Sequence, residues 1–233
     1  MGTISHVTSR LLALGILCLR GLAVAEETPD AQAILKTVRV AQTAQKRTLS
    51  GEIRSAGKTV PFRLSMVGGG IRYEFETPPL TLQLRLGERD SRFEEITKGG
   101  TERITPARFD SRVAGTDISY EDLALRFLYW PKATVEGEQT MILQKSWIVR
   151  VQPAFPKDSQ YASVKLWIAK NSGALMQAEA YDAAGKLVRR FKVISGQKID
   201  DLWILKEMRI EWVGAGQSTD RTPTYLNIDA VVK

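Results

Sequence analysis

Histidine and cysteine are all but missing from these 233 residues: there is one of each, His6 and Cys18, and both fall in the first 25 positions. Those positions have the build of a secretory signal, with Arg10 in a short n-region, an apolar stretch from Leu11 to Leu19, and Ala23-Val24-Ala25 as a small-residue cleavage site. Cleavage at Ala25 starts the mature chain near Glu26 and leaves it with neither residue. Thiol nucleophiles, disulfides, zinc sites built on Cys or His, and the serine-histidine relay are then excluded. The expectation is a protein that is not an enzyme and that carries no metal and no cofactor. Long apolar runs are lacking too: the leader's run is too short to span a bilayer and is interrupted by Arg20, and nothing later is long enough. No small residue precedes Cys18, where Leu17 stands, which disfavours lipid attachment at that cysteine. Blocks of like charge are also absent. Arg85, Arg89 and Arg92, or Arg189, Arg190 and Lys192, are interleaved with acids and strand residues, and no nucleic-acid motif accompanies them. The net charge of +7 becomes +5 when Arg10 and Arg20 leave with the leader, a mild excess that suits anionic lipid head groups or acidic partners.

What is present is mostly strand pattern. A helix opens the mature chain, with Thr28 as N-cap, Pro29 at N1, Asp30 in the first turn, and Ile34, Leu35, Val38 and Ala41 on one face; Lys46 and Arg47 close it at the end the dipole favours. The period then changes to two. Val60, Phe62, Leu64 and Met66 alternate with polar neighbours, as do Ile71, Tyr73 and Phe75, and then Leu80, Leu82, Leu84 and Leu86. Turn residues at Ala56-Gly57-Lys58, Gly68-Gly69-Gly70, Pro78-Pro79, Gly87-Glu88 and Gly99-Gly100 separate them, so successive strands pair as antiparallel hairpins. Further alternating segments follow from Met141 to Val232. Roughly a dozen strands at this spacing mark one large barrel-like or sandwich domain over residues 26–233.

Between the two strand runs lies GTDISYEDLALRFLYWP, residues 115–131. Tyr120, Leu123, Ala124, Phe127 and Leu128 share one face of a 3.6-residue period. Ser119 and Asp122 have capping-box spacing, Ile118 and Leu123 sit as a hydrophobic staple, and Pro131 stops the helix. GTDISYEDL at 115–123, with YASVKLWI at 161–168 and YDAAGKLVR at 181–189, resembles the LolA-like lipoprotein-carrier superfamily and, within it, the outer membrane lipoprotein-sorting proteins. The resemblance implies a mainly β fold with helices, in which a curved antiparallel half-barrel is plugged by short helices and encloses an apolar hollow. It further implies a periplasmic carrier that holds the acyl chains of a lipoprotein or lipid, meets inner-membrane donor and outer-membrane acceptor proteins, touches the membrane surface transiently, and binds no nucleic acid. An envelope lipid sensor acting through a protein partner is the alternative use of the same hollow.

Candidate ligand-lining residues follow from alternation and from that resemblance: Phe62, Leu64, Met66, Tyr73, Phe75, Leu82 and Leu84 on the strands, with Tyr120, Leu123, Phe127 and Trp130 on a helix that would act as a lid hinged at Gly115. Plain core packing is the competing reading of the same face. Magnitude constrains the carrier reading: at about 0.8 kcal/mol per methylene, a sixteen-carbon chain carries roughly 12 kcal/mol of preference for an apolar home, so it must be enclosed and not merely grooved. The acidic pairs are weak catalytic candidates, since Glu94 and Glu95 point to opposite faces of a strand and Glu121 and Asp122 suit a helix start. Trp167 lies opposite Leu166 and Ile168, where exposure would mark a contact patch or packing against a helix.

Overall fold

The computed structural model describes residues 29–43, 46–199, 202–214 and 222–229; the expected leader, and Thr28 as a cap, lie outside them. Helix α1 (Ala31–Thr43) is followed by β1 (Arg47–Ser55), β2 (Lys58–Val67), β3 (Gly70–Phe75), β4 (Leu80–Leu86), β5 (Ser91–Thr97) and β6 (Gly100–Arg103). An insert carrying the short helix α2 (Tyr120–Ala124) leads to β7 (Lys132–Met141), β8 (Gln144–Gln152), β9 (Ser163–Ala169), β10 (Leu175–Tyr181), β11 (Leu187–Ile199), β12 (Leu202–Trp212) and β13 (Thr224–Asp229). All of these strands belong to one open, curved, antiparallel sheet in the order β6-β5-β4-β3-β2-β1-β13-β12-β11-β10-β9-β8-β7. Two meanders are thus joined where β1 meets β13, with Ser50 opposite Asp229 and Arg54 opposite Tyr225.

Period-two alternation places the core. In β2, Val60, Phe62, Leu64 and Met66 are buried while Thr59, Pro61, Arg63 and Val67 are exposed or partly so. The β1–β2 register puts Gly51 opposite Phe62, and the missing side chain matters: a Cβ at Gly51 would lie 2.5 Å from the Phe62 ring and 2.6 Å from the Asn227 carbonyl oxygen. The two edges are blunted, β6 by its shortness and full exposure and β7 by lacking any buried residue.

Three local expectations change. Helix α1 is capped by Asp30, whose Oδ2 accepts from the Ala33 N–H at 3.1 Å. It ends before Lys46 and Arg47, because Arg47 pairs with Met66 across β1–β2 and its Nη1 donates to the Ile199 carbonyl. The expected single helix through residue 130 breaks at Leu125, which adopts φ 45° and ψ 41°, and continues as a 3-10 turn over Arg126–Tyr129. Trp167 is buried: its Nε1 donates to Gln139 Oε1 at 2.8 Å under the Lys165 ammonium, so neighbouring strands cover it without a helix.

Candidate functional site

Because β6 and β7 are the two edges of the sheet, the chain between them must cross from one edge to the other, and it does so over the apolar face. Tyr120 meets Phe93 of β5 edge-on at 5.8 Å, and Phe127 meets Phe191 of β11 at 5.8 Å, so the insert touches both meanders. Its capping box is formed: Ser119 Oγ accepts from the Asp122 N–H and Asp122 Oδ2 accepts from the Ser119 N–H, each at 3.1 Å. Helix α1 holds the other end, with Arg39 Nη1 donating to the Leu128 carbonyl at 2.9 Å and Gln32 Nε2 to those of Trp130 and Pro131.

A buried polar cluster locks the start of the insert to the second meander. Arg189 of β11 has no exposed surface; Nη1 donates to Asp117 Oδ2 at 2.9 Å, Nη2 to the Asp117 carbonyl at 2.6 Å, and Nη2 pairs with Asp122 Oδ2 at 3.2 Å. Its guanidinium stacks on Trp212, 4.3 Å from the ring centroid. Asp122 Oδ1 accepts from the Tyr161 hydroxyl at 2.7 Å, and burial together with that carboxylate pushes the Tyr161 pKa well above 10.0. Glu121 beside it is fully buried. One oxygen accepts from the Gln160 N–H at 3.1 Å, while Oε1 has no hydrogen-bond partner among the described residues and sees Arg126 only at 3.9 Å. Burial raises its pKa above the ordinary 4.5, partly opposed by hydrogen bonds from Ser159 and Gln160 and by the Arg126 charge.

Above this floor lies a cavity of about 540 Å³. Its walls are apolar: Leu49, Leu64, Met66 and Ile71 from the first meander, Met208, Ile210, Leu226 and Ile228 from the second, Val38 and Ala41 from α1, and Ile118, Leu123 and Leu125 from the insert. Tyr73 also lines it, and burial pushes its hydroxyl pKa up to about 12. Asp122 is the one acidic side chain among the described lining residues, none of which is a lysine or arginine, and both of its oxygens are already engaged. The cavity therefore selects by shape and apolarity, not by charge. Its insert end is buried, whereas Ile142, Ile194 and Trp203 at the far end are exposed, so the opening lies among the hairpins there.

Of the strand and helix candidates, Leu64, Met66, Tyr73 and Leu123 lie on the cavity wall. Phe62, Phe75, Leu82, Leu84, Tyr120, Phe127 and Trp130 are buried in the surrounding core instead: Phe62 packs on Tyr73 and Phe75, and Phe127 on Trp130 and Phe191. The insert is a floor, clamped by Arg189 and Arg39, and not a lid across the opening. Arg189 carried a legible signal, since it occupies the inward register shared by Leu187, Phe191 and Val193 where a charge demands a partner. Glu94 and Glu95 do face apart, Glu94 toward Arg85 and Glu95 toward Arg108.

An open antiparallel half-barrel with an apolar hollow defines the LolA-like class of proteins. Solved structures bear this out at the level of the fold. A DUF1329 family protein from Desulfovibrio piger aligns with TM-score 0.64 and 20% identity over 87% of this chain and 92% of its own. A LolA superfamily protein from Nitrosomonas europaea gives 0.63 and 12% over 87% and 92%, and a domain named for outer membrane lipoprotein sorting from Vibrio parahaemolyticus gives 0.62 and 16% over 86% and 92%. The model of a family of uncharacterized proteins matches residues 98–231, more than half of the chain, and the chain belongs to that family. No curated protein matches it.

Proposed function

We propose that this protein is a periplasmic carrier that holds the acyl part of a lipoprotein or lipid in the cavity between its two meanders. The observation that carries the reading is an apolar hollow of about 540 Å³, closed at one end by the clamped insert and open at the other. That volume falls within the roughly 300–1,000 Å³ of pockets that enclose small ligands. An acyl chain entering by its methyl end would remove most of its methylenes from water at about 0.8 kcal/mol each. Its polar head would stay at the opening, because no lysine or arginine is among the described lining residues to draw an acidic group inward.

Titration with a fluorescent sixteen-carbon acyl probe tests this. Leu64 contributes to the wall, so Leu64→Trp places an indole where the chain would lie. The expected result is probe binding by the natural protein and a loss of about tenfold or more in the folded variant. Equal affinity in the two proteins, with folding confirmed by circular dichroism, would place the probe elsewhere and contradict the reading.

A further inference from the structure

We infer that the open end of the molecule docks directly on an anionic phospholipid surface, with the Ile142–Leu143 turn as its inserted tip; this rests on the carrier reading and adds to it where the carrier meets its lipid. In an up-and-down meander every second turn falls at the same end, and here the β2–β3, β4–β5, β7–β8, β9–β10 and β11–β12 connections share the end at which the cavity opens. Among the described residues, every large exposed apolar side chain except Phe155 is gathered at that end, led by Leu143 at 98% exposure and by Val67 and Trp203 at 67% each. Ile142 and Trp203 are at once exposed and part of the cavity wall, so apolar surface runs unbroken from the outside of the molecule to its interior.

The turn chemistry is independent support. Ile142 and Leu143 form a two-residue hairpin loop with φ of 46° and 62°. That geometry favours Asn-Gly and is a steric outlier for a β-branched residue. The same chain closes two other two-residue hairpins, with positive φ at both positions, using Ala56-Gly57 and Gly68-Gly69. Bulky apolar residues held in a strained and solvent-exposed turn disagree with local structure in a way that points to function. Charge selects the partner. Lys46 and Lys145 are exposed around the opening, and Glu138 there is paired with Lys170; of the other described acids at that end, Asp229 closes β13, and Glu88 and Asp90 flank Arg89 on the β4–β5 turn, beyond the strands that line the cavity. A protruding apolar tip, an interfacial tryptophan and flanking lysines match a lipid interface rather than a flat protein epitope.

Leu143→Asn suits the positive φ and removes a side chain that does not line the cavity, so it separates docking from folding and from ligand binding. The full chain, secreted with its own leader, is assayed by co-sedimentation with phosphatidylglycerol–phosphatidylethanolamine vesicles, and separately with the soluble acyl probe in their absence. The expected result is vesicle association by the natural protein, weakened by salt and lowered about tenfold in Leu143→Asn, with probe affinity and oligomeric state unchanged. No association of the natural protein with protein-free vesicles overturns the proposal in favour of a protein partner. So does equal association of the variant, and so does a loss that accompanies dissociation of a dimer. If neither protein binds the probe but the variant still loses vesicle association, docking stands and the carrier reading falls.

Discussion

Arg189 is held by two aspartates, a carbonyl and an indole with none of its surface exposed, so its removal would leave the Asp117 and Asp122 carboxylates without their shared cation. Breaking a buried pair in this way costs about 3–5 kcal/mol. Arg189→Met is therefore expected to lower the urea midpoint sharply. Arg189→Lys should recover only part of the loss, because an ammonium cannot serve the two aspartates and stack on Trp212 together. Glu121 gives the opposite kind of prediction. Its folded pKa is raised above the ordinary 4.5 by burial, so its contribution to stability is complete below that value and is lost as the pH rises through the raised one. Glu121→Gln removes the titration. Urea unfolding of the two proteins across this range should show the natural protein losing stability relative to the variant as pH increases; parallel curves would show that Glu121 does not titrate differently on folding. Arg189 lay within reach of sequence reasoning through its inward register. Its partner Asp117 did not, because it reaches Arg189 from a loop whose placement no periodicity encodes, and neither did Tyr161, which holds Asp122 from another.

At the scale of elements, the capping box at Ser119 and Asp122 was legible and is formed, whereas the break at Leu125 was not. A left-handed leucine is disfavoured locally and persists because contacts on both sides over-determine it: Tyr161 and Arg189 hold Asp122, and Arg39 takes the Leu128 carbonyl. Ser119→Ala should cost about 1 kcal/mol in urea unfolding through the lost cap. At the β7–β8 turn, replacing Ile142-Leu143 by Asn-Gly should stabilise the protein by about 1 kcal/mol or more, since each left-handed non-glycine residue costs roughly 1–2 kcal/mol. A drop in thermal midpoint would mean that the tip makes stabilising contacts. The β1–β2 pair carries the converse case: Gly51→Ala forces a Cβ against Phe62 and the Asn227 carbonyl and should cost about 1–3 kcal/mol, read as an earlier urea midpoint.

For the molecule as a whole, strand alternation and turn residues made the meanders legible, since each hairpin is a local event. The closure of β1 on β13 is not local, and neither is the choice of which inward side chains pack and which face an unfilled space. Phe62 and Leu64 share a face of β2, yet the ring of Phe62 is taken up by Tyr73, Phe75 and the bare Cα of Gly51, while Leu64 looks into the cavity. Position along the strand decides this, and only the assembled sheet shows it. The second meander supplies Met208, Ile210, Leu226 and Ile228 to the same wall, so the hollow exists only when the two halves are joined. The central claim is that this hollow holds an acyl chain. Native mass spectrometry of the protein secreted into a bacterial periplasm and purified without detergent, followed by lipid analysis of what is released, tests it most directly. The expected result is a bound acylated species whose release restores the apo mass; a clean apo mass that stays unchanged after incubation with lipid vesicles would show that the hollow holds no acyl chain.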